Sequence, residues 1–162
     1  MKLKKSAKTG LIVISLSTAA MIAVNMLVSV PDYEHESASA YLEKEVAFTS
    51  NQGEVTDSFK VYGGNDDELY IWYAFDEFLA EENETGSGAS LAVKLLIENG
   101  KVVGHELPDE GELYEDSMKE LFPWHVRWRM PRGDVPSSIE REIDIQQTSI
   151  LAALKEKEEG AE

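Results

Sequence analysis

The feature that most constrains this chain is an uncharged apolar run near its amino terminus, Gly10–Val30. Its 21 residues would span about 31 Å as an α-helix, which matches a bilayer hydrocarbon core of about 30 Å. The charged residues that precede it are all lysines: Lys2, Lys4, Lys5 and Lys8. A positive flank stays on the cytoplasmic side of a membrane. The sequence therefore predicts a cytoplasmic basic tail (1–9), a single-pass signal-anchor helix (10–30) and a remainder that lies outside the cell membrane.

Two alternatives remain open for this apolar run. A cleaved signal peptide has an apolar stretch of about 7–15 residues followed by a small-x-small cleavage site. Downstream of the apolar run, Ala38-Ser39-Ala40 matches this small-x-small pattern, and cleavage there would release a secreted domain that begins at Tyr41. A helix buried in a soluble core is the other alternative, although such a helix would hardly lack charge on every face.

Acidic residues dominate the rest of the chain. The protein has 162 residues, of which 31 are Asp or Glu and 15 are Lys or Arg, so its formal net charge is −16. Because four of the bases are the amino-terminal lysines, residues 31–162 carry 11 bases against 31 acids, a balance of −20. Phosphate binding needs a basic face, so we expect no nucleic-acid partner. The chain has no cysteine, which excludes disulfides, thiolate metal sites and a cysteine nucleophile.

Outside the membrane, the sequence predicts a polar stalk over residues 31–44 and a domain over residues 45–160. The start of a short juxtamembrane helix is the alternative for residues 31–40. The turn cluster Gly63–Asp66 separates two runs in which apolar residues alternate with polar ones, as in a β-hairpin. Asn99-Gly100 joins two further runs and is the strongest short hairpin signal. Four antiparallel strands in a meander are the most economical arrangement of these runs.

Two helices are predicted after the strands. The first is short and is ended by Pro123. The second begins at Ser137, which is predicted to form a capping box with Glu140, and it ends before Gly160. Its apolar residues fall within an arc of about 60° and predict the face that packs on the sheet: Ile139, Ile143, Ile150 and Leu154. The predicted fold class is therefore α+β, an antiparallel meander with a short helix and a longer C-terminal helix packed on it.

The heptapeptide "WHVRWRM", residues 124–130, concentrates cations and indoles in this acidic chain. Its alternation predicts a half-buried strand with the apolar side chains on one face. From the other face we predict a binding site for an anion or a partner, formed by His125, Arg127, Arg129, Arg132 and Trp128. Two other interpretations stay open. The arginines could pair with carboxylates of their own chain while the indoles enter the core, or Trp128 could stack on a ligand ring in an aromatic groove.

Motifs for catalysis are lacking in the sequence, which contains neither G-x-S-x-G nor H-E-x-x-H. We predict no cofactor and no metal site. The expected function is that of a noncatalytic interaction, sensing or envelope-associated module. Its expected partners are the membrane, through the amino-terminal helix, and a protein or an anionic envelope polymer. The alternative is an exported hydrolase that uses a pair of carboxylates, because 31 acids allow such a pair to arise.

Overall fold

The computed structural model describes residues 30–50, 52–80 and 84–159. They form an α+β fold around one four-stranded antiparallel sheet with the strand order β1-β2-β3-β4, so the predicted meander is confirmed. The strands are β1 (Glu54–Gly64), β2 (Glu68–Leu79), β3 (Glu84–Glu98) and β4 (Lys101–Glu106). The helices are α1 (His35–Glu45), a 3-10 turn (Gly111–Leu113), α2 (Tyr114–Leu121), α3 (Trp124–Arg127) and α4 (Ser137–Glu159).

Both predicted turns join neighbouring strands. Asn99 and Gly100 take φ angles of 52° and 77° between β3 and β4, which is the left-handed pair that a type I′ hairpin requires. Between β1 and β2, the side-chain oxygen of Asn65 accepts a hydrogen bond from the N–H of Asp67 at 2.9 Å. Local turn chemistry therefore sets the order of the strands.

Strand β2 lies in the middle of the sheet and is buried on both faces, so its apolar run is continuous rather than alternating. Successive side chains point to opposite faces and enter two separate cores. Leu69, Ile71, Tyr73 and Phe75 pack under α1, whereas Tyr70, Trp72 and Ala74 pack under the other helices. The sheet is thus the middle layer of three.

Helix α1 lies where the sequence predicted a polar stalk over residues 31–44. It crosses the sheet from edge to edge: the His35 ring stacks on Phe59 of β1 at 4.8 Å, and the Tyr41 hydroxyl lies 3.0 Å from Nδ1 of His105 in β4. Ala38 and Leu42 are fully buried against the sheet. The packed domain therefore includes α1 and begins before the predicted boundary at residue 45.

Helix α4 packs on the opposite face through the first half of its predicted stripe. Ile139 and Ile143 are buried, whereas Ile150 and Leu154 are only partly covered. The predicted capping box does not form, since no hydrogen bond of the Ser137 hydroxyl occurs within the described residues. The carbonyl of Pro136 instead accepts hydrogen bonds from the N–H groups of Ile139 and Glu140 in the first turn of the helix.

Two glutamines of α4 bind the backbone and side chains at the β1 edge of the sheet. Gln146 accepts the N–H of Asp57 at 2.9 Å and donates to the carbonyl of the same residue at 2.7 Å. The neighbouring Gln147 donates to the Thr56 hydroxyl at 3.2 Å. The two bonds of Gln146 occupy the outward-pointing backbone groups of Asp57 in an edge strand, which hinders pairing of that edge with another chain at this residue.

The predicted cytoplasmic tail, and all of the predicted signal-anchor helix except Val30, lie outside the described residues. Among the helices that are described, none is both long enough and apolar enough to cross a bilayer.

Candidate functional site

Residues 124–130 form a helical turn, so the prediction of a strand there was wrong. Pro123 precedes α3, and helical hydrogen bonding continues past its end. The N–H of Trp128 donates to the carbonyl of Trp124 at 3.0 Å, and the N–H of Met130 donates to that of Val126 at 3.1 Å. Helical hydrogen bonding therefore continues to Met130, and the segment has no strand partner in the sheet.

The turn presents two apolar faces, and this explains why alternation was misleading. At about 100° per residue, positions four apart lie about 40° apart, whereas positions two apart lie on opposite sides of a helix. Val126 and Met130 accordingly point inward and are buried. Trp124 and Trp128 point outward, and each remains 61% exposed. The expectation that the indoles enter the core was wrong for these two residues.

The exposed indoles form one wall of a groove with a volume of about 980 Å³. Its aromatic lining comes from Trp72, Tyr114, Trp124 and Trp128. Its charged lining comes from Lys119, Arg127, Arg132 and Glu115, three cations and one carboxylate. In an otherwise acidic domain, this groove brings cations and aromatic rings together.

The floor of the groove is the sheet itself. Trp72 of β2 is buried, and its indole N–H donates to the hydroxyl of Ser90 on β3 at 2.6 Å. Because this bond satisfies the polar atom of the indole, the ring is fixed in place under the groove. Met118 of α2 lines the same space. A rigid sheet and the α2–α3 connection thus hold the rings that line the groove.

The three cations of the groove differ in their partners within the described residues. Arg127 donates through Nε to the carbonyl of Phe122 at 3.0 Å, which fixes the stem of its side chain. Lys119 pairs with Asp116 at 2.7 Å, on the exposed surface of α2. Arg132 is exposed.

The interpretation in which the arginines pair with carboxylates of their own chain is wrong for the described residues. Across 30–50, 52–80 and 84–159, the arginine that takes part in an ion pair is Arg141 of α4, not one of the arginines of the 124–132 segment. Arg129 donates instead to the carbonyl of Tyr62 at 3.4 Å. Within these ranges, the charges of the arginines of the 124–132 segment are not used as counter-ions.

The structure brings together three of the five predicted site residues. Arg127, Trp128 and Arg132 line the groove. Arg129 faces β1, and His125 packs edge-on against Trp124 at 5.8 Å outside the groove lining. The sequence interpretation missed Trp124, Tyr114, Trp72 and Lys119. The i, i+4 spacing of Trp124 and Trp128 after a proline was the signal that could have indicated an outward aromatic pair.

A carboxylate with an unusual environment lies outside the groove lining, near the carboxyl end of β2 and opposite the start of β1. Glu77 is fully buried and accepts hydrogen bonds from the N–H groups of Ser50, Gln52 and Gly53 at 2.9, 2.8 and 3.2 Å. The hydroxyl of Ser87 adds a bond at 2.7 Å. The Ser50 and Ser87 donors hold the pKa of Glu77 far below its usual range. These bonds tie the segment before β1 to β2 and β3.

Two other carboxyl groups have pKa values that burial raises, Asp57 and Asp76. They lie on adjacent strands, but Asp57 pairs across the ladder with Phe75 and Asp76 pairs with Thr56, so their side chains point to opposite faces of the sheet. Neither lines the groove, where Glu115 is the carboxylate. The groove therefore does not present the pair of facing carboxyls that glycoside hydrolysis uses.

Metal-ligating side chains do not cluster in the part of the chain that the structure describes: no group of three or more His, Asp or Glu residues there could hold an ion. Comparison of the chain with models of protein families, with curated proteins and with solved structures finds no significant match.

Proposed function

We propose that this protein is a membrane-anchored, extracytoplasmic binding module that captures an anionic ligand in the groove of Tyr114, Trp124 and Trp128. The observation that carries the proposal is the exposure of two neighbouring indoles, 61% each, beside three cations. The ligand class is an anionic envelope polymer or a carboxylate-rich segment of a partner protein. The proposed role is noncatalytic.

Leaving indoles exposed to water is unfavourable in free energy. A tryptophan buries more apolar area than most other side chains, so two of them left side by side in water represent hydrophobic stabilisation that folding of the domain does not use. Contiguous exposed apolar surface of this kind marks binding sites on soluble domains. Ligand rings or apolar stems that cover Trp124 and Trp128 would recover that stabilisation.

The cations supply the charge preference. An arginine fork binds carboxylate and phosphate groups with two parallel hydrogen bonds, and Arg127 and Arg132 stand at the groove without a described carboxylate partner. The many acids elsewhere on the domain act over longer distances, and salt screens them beyond about 8 Å at physiological ionic strength. Within the lining, Arg127 and Arg132 therefore favour an anionic ligand, whereas Glu115 opposes it and Lys119 is already paired with Asp116.

The position of α1 supports anchoring rather than signal cleavage. A cut after Ala40 would fall inside α1 and remove the buried Ala38 from the core under the sheet. An uncleaved apolar segment leaves this helix whole. The proposed arrangement is a short connection, residues 31–34, between the membrane helix and α1.

The proposal is tested by titrating the full-length protein, in a zwitterionic detergent, with polygalacturonate, with poly-L-glutamate and with neutral dextran. Tryptophan fluorescence is the readout, because two of the three tryptophans flank the groove and the third forms its floor. We expect a saturable change with at least one anionic polymer and none with dextran.

Charge-matched variants separate the groove from general electrostatics. Arg132→Ala is expected to weaken anion binding about tenfold, the value of one lost charge-assisted contact. Arg141→Ala removes the same charge from the exposed face of α4, away from the groove lining, and is expected to change affinity less than about twofold. Equal effects of the two substitutions would contradict a specific site.

A further inference from the structure

In the part of the chain that the structure describes, one edge of the sheet lacks a neighbouring strand over part of its length, beside the groove. Strand β3 has 15 residues, but β4 has six and pairs only with Lys94–Glu98. The half of β3 from Glu84 to Val93 therefore extends beyond the end of β4. Among the described residues, no backbone hydrogen bond joins this half to any segment other than β2.

The direction of the free backbone groups follows from the ladder. The N–H of Ile97 donates to the carbonyl of Asp67 on the β2 side of the strand. Because N–H and C=O groups alternate sides along a strand, odd-numbered residues of β3 point toward β2 and even-numbered ones point away. Beyond the end of β4, the exposed Gly88 and the half-buried Ser90 thus direct donors and acceptors outward, whereas Ala92, which points the same way, is buried.

The side chains of this edge lack two of the features that usually block strand addition. Natural edge strands are protected by charged side chains, by proline or by a covering element. The run Thr85–Val93 contains no charged residue and no proline. The β1 edge, in contrast, is covered by Gln146 of α4. Within the described residues, α4 therefore bonds to the β1 edge, whereas no other element bonds to the backbone of the β3 edge from Thr85 to Ser90.

The β3 edge and the groove share a residue. Ser90 directs its backbone outward at the edge, and its side chain lines the groove and holds Trp72. A strand that paired with this edge would point every second side chain over the same face of the sheet as the groove. Those side chains would meet Arg127, Arg132 and Trp128.

We propose that the ligand is an extended, carboxylate-bearing segment of a partner protein, which adds to the free half of β3 as a fifth strand and places its acidic side chains in the groove. This inference rests on the proposed function and deepens it by naming the class of partner. Backbone pairing supplies binding free energy irrespective of sequence, and the alternate side chains supply selectivity. A second copy of the chain fits less well, because two domains with this excess of acids repel each other.

The first test uses the full-length protein in detergent and blocked eight-residue peptides of alternating glutamate and valine. Two N-methylated versions carry methyl groups either on every odd or on every even backbone nitrogen. In an added strand, only one of these sets faces β3. We expect the parent peptide and one methylated version to bind, and the other version to bind at least tenfold more weakly. A lysine-for-glutamate version should also lose at least tenfold.

The second test compares Ser90→Pro with Ser90→Ala. Both substitutions remove the hydroxyl that Trp72 binds, but only proline removes the outward N–H. Proline is compatible with an edge position whose N–H faces solvent. Because Ser90→Ala already carries any effect of the lost hydroxyl on Trp72 and the groove, it is the reference, and we expect Ser90→Pro to bind the peptide about tenfold more weakly than Ser90→Ala. Circular dichroism checks that each variant folds. If Ser90→Pro does not fold, the methylated peptides alone test whether the peptide adds to β3 as a strand.

The outcomes distinguish this inference from the proposed function. Equal binding of both methylated peptides, or equal affinity of the two Ser90 variants, overturns strand addition. Polygalacturonate binding that depends on Arg132 while the peptides do not bind also overturns it, yet leaves the groove as an anion site. Absence of binding by every anionic probe overturns both.

Discussion

Leu42→Ala is expected to lower the free energy of unfolding by about 2–5 kcal/mol, as for other leucines truncated in a packed core. Leu42 is fully buried between α1 and the sheet, beside Ile71 and Tyr73 of the central strand. Truncation there removes apolar contacts and leaves a cavity that a rigid sheet cannot fill. Urea unfolding of the full chain in detergent, followed by far-ultraviolet circular dichroism, measures the change.

The matched control for this prediction is Leu113→Ala, the same truncation at a site that is 61% exposed. Its effect should stay within about 0.5 kcal/mol. If Leu42→Ala were as mild as Leu113→Ala, α1 would not be packed on the sheet, and the segment would be the polar stalk that the sequence predicts.

Glu77→Gln is expected to lower the thermal midpoint at neutral pH by on the order of 10 °C. The carboxylate accepts hydrogen bonds from Ser50, Gln52, Gly53 and Ser87. A glutamine has the same shape, but its amide nitrogen is itself a donor and must face at least one of these donors. One or more buried donors are then left unsatisfied. The segment before β1 loses its attachment to the end of the sheet.

The loss should depend on pH with a definite sign. Hydrogen bonds from Ser50 and Ser87 depress the pKa of Glu77 below its ordinary value of 4.5, so the carboxylate stabilises the folded state above that pH. This contribution declines as the pH falls below about 4.5, because the unfolded chain then binds the proton more readily. The difference in midpoint between wild type and Glu77→Gln should therefore shrink from pH 7 to pH 3.

Taking the difference in midpoint between wild type and Glu77→Gln cancels the pH-dependent contributions of other titratable groups. Burial raises the pKa of Asp57 and Asp76, and their effect on stability has the opposite sign, but it is present in both proteins and cancels in the difference. Glu110→Gln, at an exposed carboxylate, should leave the midpoint almost unchanged. A difference between wild type and Glu77→Gln that stays constant with pH would contradict the role assigned to the carboxylate.

The meander could be predicted from the sequence because short turn motifs between neighbouring strands determine it. Asn99-Gly100 requires a left-handed pair of residues that few other dipeptides provide at low cost, and the structure has those φ angles. The first half of the α4 stripe was predictable for a similar reason, since Ile139 and Ile143 recur with the helical period. Gln146 and Gln147, which interrupt that stripe, bind β1 instead, and a contact of this kind requires knowledge of the tertiary structure.

Helix α1 and the 124–130 turn could not be predicted in the same way. Helix α1 is polar apart from a few positions, and the fully buried Ala38 and Leu42 are too few to produce a clear period. A run of seven residues that alternates is compatible with a strand and with a turn that has two apolar faces. What decides between them is the space under Val126 and Met130, which exists only once the sheet and α4 have formed.

The measurement that tests the central claim most directly is the affinity of the Trp124→Ala/Trp128→Ala double variant for poly-L-glutamate and polygalacturonate, by isothermal titration. Both indoles are placed on the surface of the groove, so the variant should remain folded, with an unfolding free energy within about 1 kcal/mol of wild type. We predict that its affinity for the polymer that wild type binds falls by at least a factor of about 100, about 1.4 kcal/mol or more for each lost ring. Unchanged affinity in the folded variant, or destabilisation by the roughly 3–5 kcal/mol that a single core tryptophan costs, would contradict the account of the groove as a ligand site.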